Sequence, residues 1–368
     1  MMSKTKLSEL GTFKNGLNYN SSSTTFGGCK IVGIPDFTDK YIANLRCLHE
    51  VDNSIVSDDY LLKKDDILFV RSNGNKALVG RTMIIGDVDD RITYSGFCIR
   101  FRPNKNKIRP LFLLYLFKSP QFRKQFSKYQ QTSINNLNQD ILSSIELELP
   151  DIRTQELIVK CIHSITEKIE INQHINDNLQ QMAVATYMHL FYGKKCNGRL
   201  GDILVENAKS TIQVGEAKDK SGDYPFFTSG DAVLRWTEPI VDGRNIFLNT
   251  GGNADVKFYV GATSYSTDTW CITAKNDMED YLYLLLNSIK QELNLKFFQG
   301  TGLKHLQKPL LKDKVIYIPS KEEISSFNAD VKPWLSMISD NTRESYRLSA
   351  LRDWLLPMLM NGQATISD

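Results

Sequence analysis

From Arg91 to Gln139 the chain carries no Asp or Glu, yet it holds Arg91, Arg100, Arg102, Lys105, Lys107, Arg109, Lys118, Arg123, Lys124 and Lys128. Tyr94, Phe97, Phe101, Phe122, Phe126 and Tyr129 are interleaved with them. Ten cations and no carboxylate in 49 residues, inside a chain whose formal net charge is +3, make a local field suited to neutralising phosphates. For some of these lysines a solvated helix face with its loop is the plainer reading. In the second half Lys290, Lys296, Lys304, His305, Lys308 and Lys312 are interrupted by Asp280, Glu292 and Asp313. There the polar turns carry more of the signal: Asn249, Thr250 and Asn253 after one apolar run, and Ser264, Tyr265, Ser266, Thr267 and Asp268 before another. Such side chains can pair with base edges, whereas a lysine mainly positions a phosphate backbone, although most Asn/Gly/Ser turns are simply turns.

Catalytic constellations are missing from the sequence. There is no GxxxxGK[ST] phosphate loop, no Gly-rich dinucleotide loop after a strand, no HExxH and no GxSxG. An Asn-Pro-Pro-aromatic run, with which an amino-methyltransferase would grip a flipped base, is absent too. Asp151 and Glu156 lie near Lys160, but they open a helical stretch, where carboxylates favour the helix dipole, and they read as structural. Cys29, Cys47, Cys98, Cys161, Cys196 and Cys271 form no CxxC pair, so neither a zinc ribbon nor a disulfide framework is implied. The apolar runs at 111–117 and 281–286 fall far short of the roughly 20 residues that span a bilayer. No membrane is expected, and a reducing cytoplasm is the simplest setting.

The elements that must position these residues come in duplicate. At 368 residues the chain is long enough for two or three cores. Residues 110–192 lie over 279–361 without a gap: Phe112, Leu113, Leu114 and Ser119 fall on Tyr281, Leu282, Tyr283 and Ser288, and Leu147, Leu149 and Pro150 on Ile316, Ile318 and Pro319. The phrase QTSINNLN at 131–138 returns as GTGLKHLQ at 300–307, with Ile134 and Leu137 in the slots of Leu303 and Leu306. Upstream, ILFVRSNGN at 67–75 answers NIFLNTGGN at 245–253, TYSGFCI at 93–99 echoes SYSTDTWCI at 264–272, and Leu-Gly opens both halves in ELGTF and RLGDI. Each half is therefore a strand-rich globular part followed by a long helix.

Both helices carry an apolar seam. Ile158, Ile162, Ile165, Ile169, Asn172, Asn176, Leu179, Met182, Thr186 and His189 advance by alternating steps of four and three, and their counterparts are Phe327, Val331, Trp334, Ile338, Asn341, Ser345, Leu348, Leu351, Leu355 and Met358. A 3.5-residue repeat is the mark of a coiled coil, the other reading being an amphipathic helix packed on its own domain. Forty residues make a rod of ~60 Å, longer than a small domain is wide. The expectation is an α+β protein of two strand-rich domains alternating with two long helices. The helices pair antiparallel about an internal pseudo-two-fold axis, with Asn172 and Asn341 meeting at its centre. The boundaries read as 1–149, 150–193, 194–318 and 319–362, with a tail at 363–368.

This order of parts, with GTGLKHLQ, the strand IYIP at 316–319 and the helix opening after it, resembles the specificity subunit of type I restriction-modification systems, the HsdS family. The likeness spans essentially the whole chain, although QTSINNLN lacks both glycines of the later phrase. It implies two target recognition domains that each read half of a split double-stranded DNA sequence, with the helices as the ruler for the unread gap. It implies two methyltransferase subunits docked on the helices, each with its own S-adenosylmethionine for a flipped adenine, and nuclease-translocase subunits. No cofactor is implied for this chain itself.

The resemblance also makes the repeated phrase the hinge between reading head and helical frame, with Asn135, Asn136, Asn138, Lys304 and His305 able to touch phosphate or bases. The candidate DNA contacts are then Arg71, Asn73, Asn75, Arg81, Tyr94, Arg100, Arg102, Lys105, Lys128, Asn135 and Asn136 in the first half. In the second they are Asn249, Thr250, Asn253, Lys257, Tyr265, Lys304 and His305. Two rivals stay open: a coiled-coil scaffold whose globular ends hold proteins, and a free-standing DNA-modifying enzyme.

Overall fold

A computed structural model describes residues 3–20, 23–38, 41–75, 78–119, 122, 137–218, 220–300, 302, 304–360 and 362–366. Its contacts divide the chain into two compact units, 1–167 with 348–368, and 168–347. This division cuts through both long helices, so each unit is a strand-rich body together with a portion of each helix.

In the first unit β1 (Ser3–Lys6), β2 (Gly11–Asn15), β3 (Thr24–Val32), β4 (His49–Val51), β5 (Ile67–Val70), β6 (Thr82–Ile84), β7 (Ile92–Tyr94) and β8 (Cys98–Pro103) precede α1 (Pro110–Lys118), α2 (Gln139–Ser144), β9 (Glu146–Leu149) and the start of α3 (Ile152–Phe191). An antiparallel sheet runs β2-β8-β5-β6, a smaller sheet runs β4-β3-β7 with β3 and β7 parallel, and β1 pairs with β9. Ile67, Phe69, Ile99 and Phe101 turn one face of the larger sheet onto Phe112, Leu113 and Phe117 of α1. Leu68, Val70 and Cys98 turn the other face onto Val32 and Tyr94. That two-residue alternation is the pleat, and both faces being buried explains the unbroken apolar run ILFV.

The second unit repeats the plan. Its elements are β10 (Gly198–Arg199), β11 (Leu204–Glu206), β12 (Tyr224–Phe227), β13 (Val233–Trp236), β14 (Arg244–Asn249), β15 (Val256–Val260), β16 (Ser264–Tyr265), β17 (Thr269–Ala274), α4 (Glu279–Ser288), β18 (Phe298–Gln299), β19 (His305–Leu306), α5 (Lys308–Lys312), β20 (Val315–Ile316) and α6 (Lys321–Met360). The sheet orders β11-β17-β14-β15, β13-β12-β16 and β10-β20 reproduce those of the first unit strand for strand, including the parallel pair β12 and β16. The register, however, differs by one residue from the match read in the sequence. Val70 pairs with Cys98, and Asn249 with Thr269, so Val70 corresponds to Asn249 and Arg71 to Thr250. A slip of one residue would send every side chain to the wrong face; the observed register keeps Ile246 and Leu248 in the main core where Ile67 and Phe69 stand.

Both long helices begin and end alike. Asp151 Oδ1 accepts the Thr154 N–H at 2.8 Å, and Ser320 and Glu323 form a reciprocal box, with Ser320 N–H donating to Glu323 Oε2 at 2.8 Å and Glu323 N–H to Ser320 Oγ at 3.2 Å. Each helix is followed by a glycine at positive φ, Gly193 and Gly362. Along α3 the buried side chains include Gln155, Ile158, Ile162, Thr166, Asn172, Asn176, Ala183, Tyr187 and Phe191, with Ile165, Ile169 and Leu179 half-buried. Eleven-residue steps join Gln155 to Thr166, Asn172 to Ala183 and Asn176 to Tyr187, so the buried stripe keeps closer to 3.6 than to 3.5 residues per turn and drifts off a strict heptad seam. Three seam expectations fall with that drift, two on α3 and one on α6. Met182 is 47% exposed and His189 is exposed, because Ala183 and Tyr187 take the inward places. On α6, Phe327 and Val331 are buried and Trp334, Ile338, Asn341, Leu348 and Leu355 half-buried, but Leu351 is 43% exposed while Leu356 and Leu359 face the core.

Within the second unit the helices run antiparallel. Asn172 Nδ2 donates to Glu344 Oε2 at 2.7 Å and Ser345 Oγ at 3.2 Å, and one turn later Asn341 Nδ2 donates to Asn176 Oδ1 at 2.9 Å. Asn341 therefore meets Asn176, not Asn172 as the sequence reading had it. The contacts Asn172–Ser345 and Asn176–Asn341 exchange under the 169-residue repeat, which places the centre between residues and not on an asparagine.

Candidate nucleic-acid interface

One corner of each unit is held by the same backbone bonds. In the first, Ser95 N–H reaches Val32 O at 2.9 Å, Gly96 N–H reaches Leu17 O at 2.7 Å, Cys98 N–H closes on Ser95 O at 2.9 Å, and Arg71 N–H holds Phe97 O at 2.7 Å. In the second, Ser266 reaches Phe227 O at 2.9 Å, Thr267 reaches Ile212 O at 2.9 Å, Thr269 closes on Ser266 O at 3.1 Å, and Thr250 holds Asp268 O at 3.1 Å. The repeated phrase docks on this corner: Leu137 N–H donates to Arg71 O at 2.8 Å and Leu306 N–H to Thr250 O at 3.0 Å. Gly252 N–H adds a bond to Lys304 O at 2.9 Å. Leu137 and Leu306 are buried in their cores.

Among the described residues, four cations of the acid-free stretch do not stay free, because folding brings carboxylates to them from elsewhere. Arg91 pairs with Asp58 at 3.2 Å, Lys105 with Asp65 at 2.6 Å and Arg109 with Glu156 at 2.6 Å. Arg102 grips Asp66 with Nε on Oδ1 and Nη2 on Oδ2, both at 2.7 Å, and Asp66 is only 1% exposed. Those bonds push the Arg102 guanidinium still higher above its ordinary pKa. Arg100 is 5% exposed and donates to the Asp59 and Leu61 carbonyls at 2.9 and 3.4 Å. Arg100 and Arg102 thus fasten the strand β8 to the segment before β5 and are held by the fold, against their reading as free DNA contacts, while Lys105, beyond β8, pairs with Asp65 and keeps its side chain mostly exposed. The sequence carried the signal in the acids Asp58, Asp65 and Asp66, tens of positions upstream of the residues they pair with.

Several other candidates are also structural. Tyr94 is fully buried with its hydroxyl on Lys14 O at 3.3 Å, and burial raises its pKa; its counterpart Tyr265 is fully buried, donates to Ala208 O, and is pushed up to about 12 by the same cause. Asn249 is buried and ties its own turn, donating to Gly251 O at 2.7 Å and accepting the Asp255 N–H at 2.7 Å. Lys257 Nζ donates to Thr228 O at 3.1 Å and pairs with Asp255 at 3.5 Å. Lys128, Asn135 and Asn136, with Ile134 and Leu303, lie outside the described residues.

What the corner leaves to solvent is narrower. In the first unit Arg71 and Asn73 are half-buried, with Asn73 Oδ1 capping Asn75 N–H at 2.9 Å, Asn75 is exposed, and Arg81 is half-buried. In the second, Thr250 Oγ1 donates to Asp268 O at 2.9 Å, while Asn253, Lys304 and His305 are exposed. The β18–β19 pair and a bridge from Gly251 to His305 bring Lys304 and His305 beside the turn at 250–253. Among the described residues no group of His, Cys, Asp and Glu is arranged to hold a metal ion, and no helix is long and apolar enough to cross a membrane.

A family model described as the type I restriction modification DNA specificity domain matches this chain twice, over residues 2–181 and 194–331. The HindI type I restriction enzyme specificity subunit of Haemophilus influenzae is 30% identical over 135 residues, 35% of this chain and 28% of that protein. This chain thus spans well under half of that relative's length. A putative MjaX type I restriction enzyme specificity subunit of Methanocaldococcus jannaschii is 26% identical over 400 residues, covering 97% of this chain and 92% of that one. The crystal structure of a type I restriction-modification S subunit from M. genitalium superposes with a TM-score of 0.65 at 14% identity, over 98% of this chain and 96% of that one, a likeness of fold.

Proposed function

The chain belongs to the type I restriction modification DNA specificity family, and from that premise we propose that it reads a bipartite double-stranded DNA target, one half-site per unit, with a fixed unread gap. The carrying observation is the strand-for-strand repetition of the sheet orders and of the bonded corner in two units whose exposed side chains differ. Two readers on one frame with different surfaces suit an asymmetric sequence, and two copies of that frame suit two identical partners. The chain serves recognition and leaves the chemistry to others. Methyltransferase subunits dock on the helical frame and bring S-adenosylmethionine to a flipped adenine, and nuclease-translocase subunits join for restriction. The setting is the cytoplasm.

The scaffold reading gains ground because four cations of the basic stretch, Arg91, Arg102, Lys105 and Arg109, pair with carboxylates of the fold, but it gives no account of a match to a DNA specificity domain across both halves. Mapping methylated adenines in a genome with and without this chain tests the proposal. The expected result is a two-part motif with constant spacing that vanishes with the chain; methylation that is unchanged, or a single continuous motif, refutes it.

A further inference from the structure

The two bonded turns, Ser95–Cys98 and Ser266–Thr269, are the same turn built twice, since all four of their backbone partners correspond. Two copies that share a frame but read different sequences must differ where a side chain leaves the frame. At the third place of the turn the first unit has Phe97, 58% exposed, and the second has Asp268, also exposed. Among the described residues neither side chain makes a hydrogen bond or ion pair or belongs to a core cluster. The bonds at these residues run through the backbone carbonyl, and the Asp268 carboxylate has no hydrogen-bond or ion-pair partner among the described residues. The neighbouring polar side chains of the same segment, Ser264, Tyr265 and Ser266, are fully buried and bonded inward.

The geometry points to Phe97 and Asp268 as the positions at which each unit discriminates a base, an assignment that rests on the bipartite reading above. An unpaired carboxylate is repelled by a phosphate backbone and is tolerated against DNA where it accepts from an exocyclic amine; in the major groove that acceptor role selects the cytosine N4 amine. The exposed Lys304, bonded beside the turn through the 250–253 loop, supplies a cation for the flanking phosphates, and the exposed His305 next to it offers a ring N–H to the same backbone. A phenyl ring has no donor or acceptor to offer and selects by apolar contact, for which the thymine methyl is the partner in the same groove.

The test is binding-site selection from a randomised duplex library by the full chain, co-expressed with its methyltransferase partners, for wild type, D268N and F97A. Because an amide reads adenine through N6 and N7, D268N is expected to move one position of one half-site from cytosine toward adenine by about tenfold or more, with the other half-site unchanged. F97A is expected to relax one position of the other half-site, and uracil in place of the selected thymine should reproduce that loss with wild-type protein. A wild-type two-part motif left intact by both substitutions, or an equal loss of affinity on all sequences, overturns this assignment alone. A wild type that enriches no two-part motif overturns the bipartite reading and this assignment with it.

Discussion

Arg102→Met separates the two roles that a basic residue can play in this chain. In the folded unit Arg102 supplies two 2.7 Å bonds to an Asp66 carboxylate that is 1% exposed, and after substitution only the Lys63 N–H, at 2.8 Å, still serves that carboxylate. Removing one partner of a buried pair costs about 3–5 kcal/mol, most of it the charge left behind. Arg102 is itself about a third exposed, which sets the expectation at the low end, about 3 kcal/mol. Amide hydrogen exchange of β5 and β8 in the first unit should then quicken by about a hundredfold, and with a urea dependence of about 2–3 kcal/mol per molar the midpoint should fall by about 1 M. Adding Asp66→Asn should recover most of the loss. DNA affinity measured well below the unfolding transition, where the variant is still folded, should keep its dependence on salt. Unchanged exchange together with a salt slope shallower by about 0.9 would refute this account and return Arg102 to the phosphate backbone.

Two further outcomes follow from the helices and their caps. With Cys161 and the exposed Cys47 and Cys196 replaced by Ser, cysteine pairs at 176 and 341 and at 172 and 345 should cross-link under mild oxidation, whereas a pair at 172 and 341 should not; efficient linking of that last pair would mean the helices sit one turn away from the described register. Glu323 is held down at about 2, first by Lys194 and then by the Ser320 N–H and Tyr317. Its folded value is depressed, so the stability it lends is complete above the ordinary carboxylate value of about 4.3 and is lost as pH falls from there toward about 2. Exchange protection at the start of α6 should decline over that window, and in E323Q it should be lower at neutral pH and nearly flat with acidification; a wild-type profile identical to E323Q would sink the cap's role.

The duplication was legible because it rests on local regularities: an apolar run before a polar turn, a proline before a helix, and an apolar stripe. The docking of the repeated phrase was legible for the same reason, since Leu137 and Leu306 keep their place 169 residues apart. The strand register was not, because NIFLN and ILFVR match equally well at two offsets and only the pairing of β14 with β17 chooses between them. Charge was misread for a different reason. A run without acids says nothing about which acids the fold delivers, and Asp58, Asp65, Asp66 and Glu156 arrive from outside the run. Tyr94, Tyr265 and Asn249 show the converse, polar residues at turn edges whose polar ends satisfy nearby backbone and so look inward. The helical stripe failed only in its far parts, where a small difference between 3.5 and 3.6 residues per turn accumulates until Met182 and Leu351 point to solvent.

The composition of the first unit has a consequence for how the protein is made. Leu356, Leu359 and Met360 belong to the same core as Ile67 and Phe112, yet the 180 residues of the second unit stand between Glu167 and Leu348. At a ribosome's pace of about 5–20 residues per second, the nascent first unit waits roughly 10–40 s for the helical segment that closes it, while the second unit, uninterrupted in the chain, can collapse as soon as it emerges. The part translated first is thus the last to be sealed, and its open flank is the one a chaperone would need to shield.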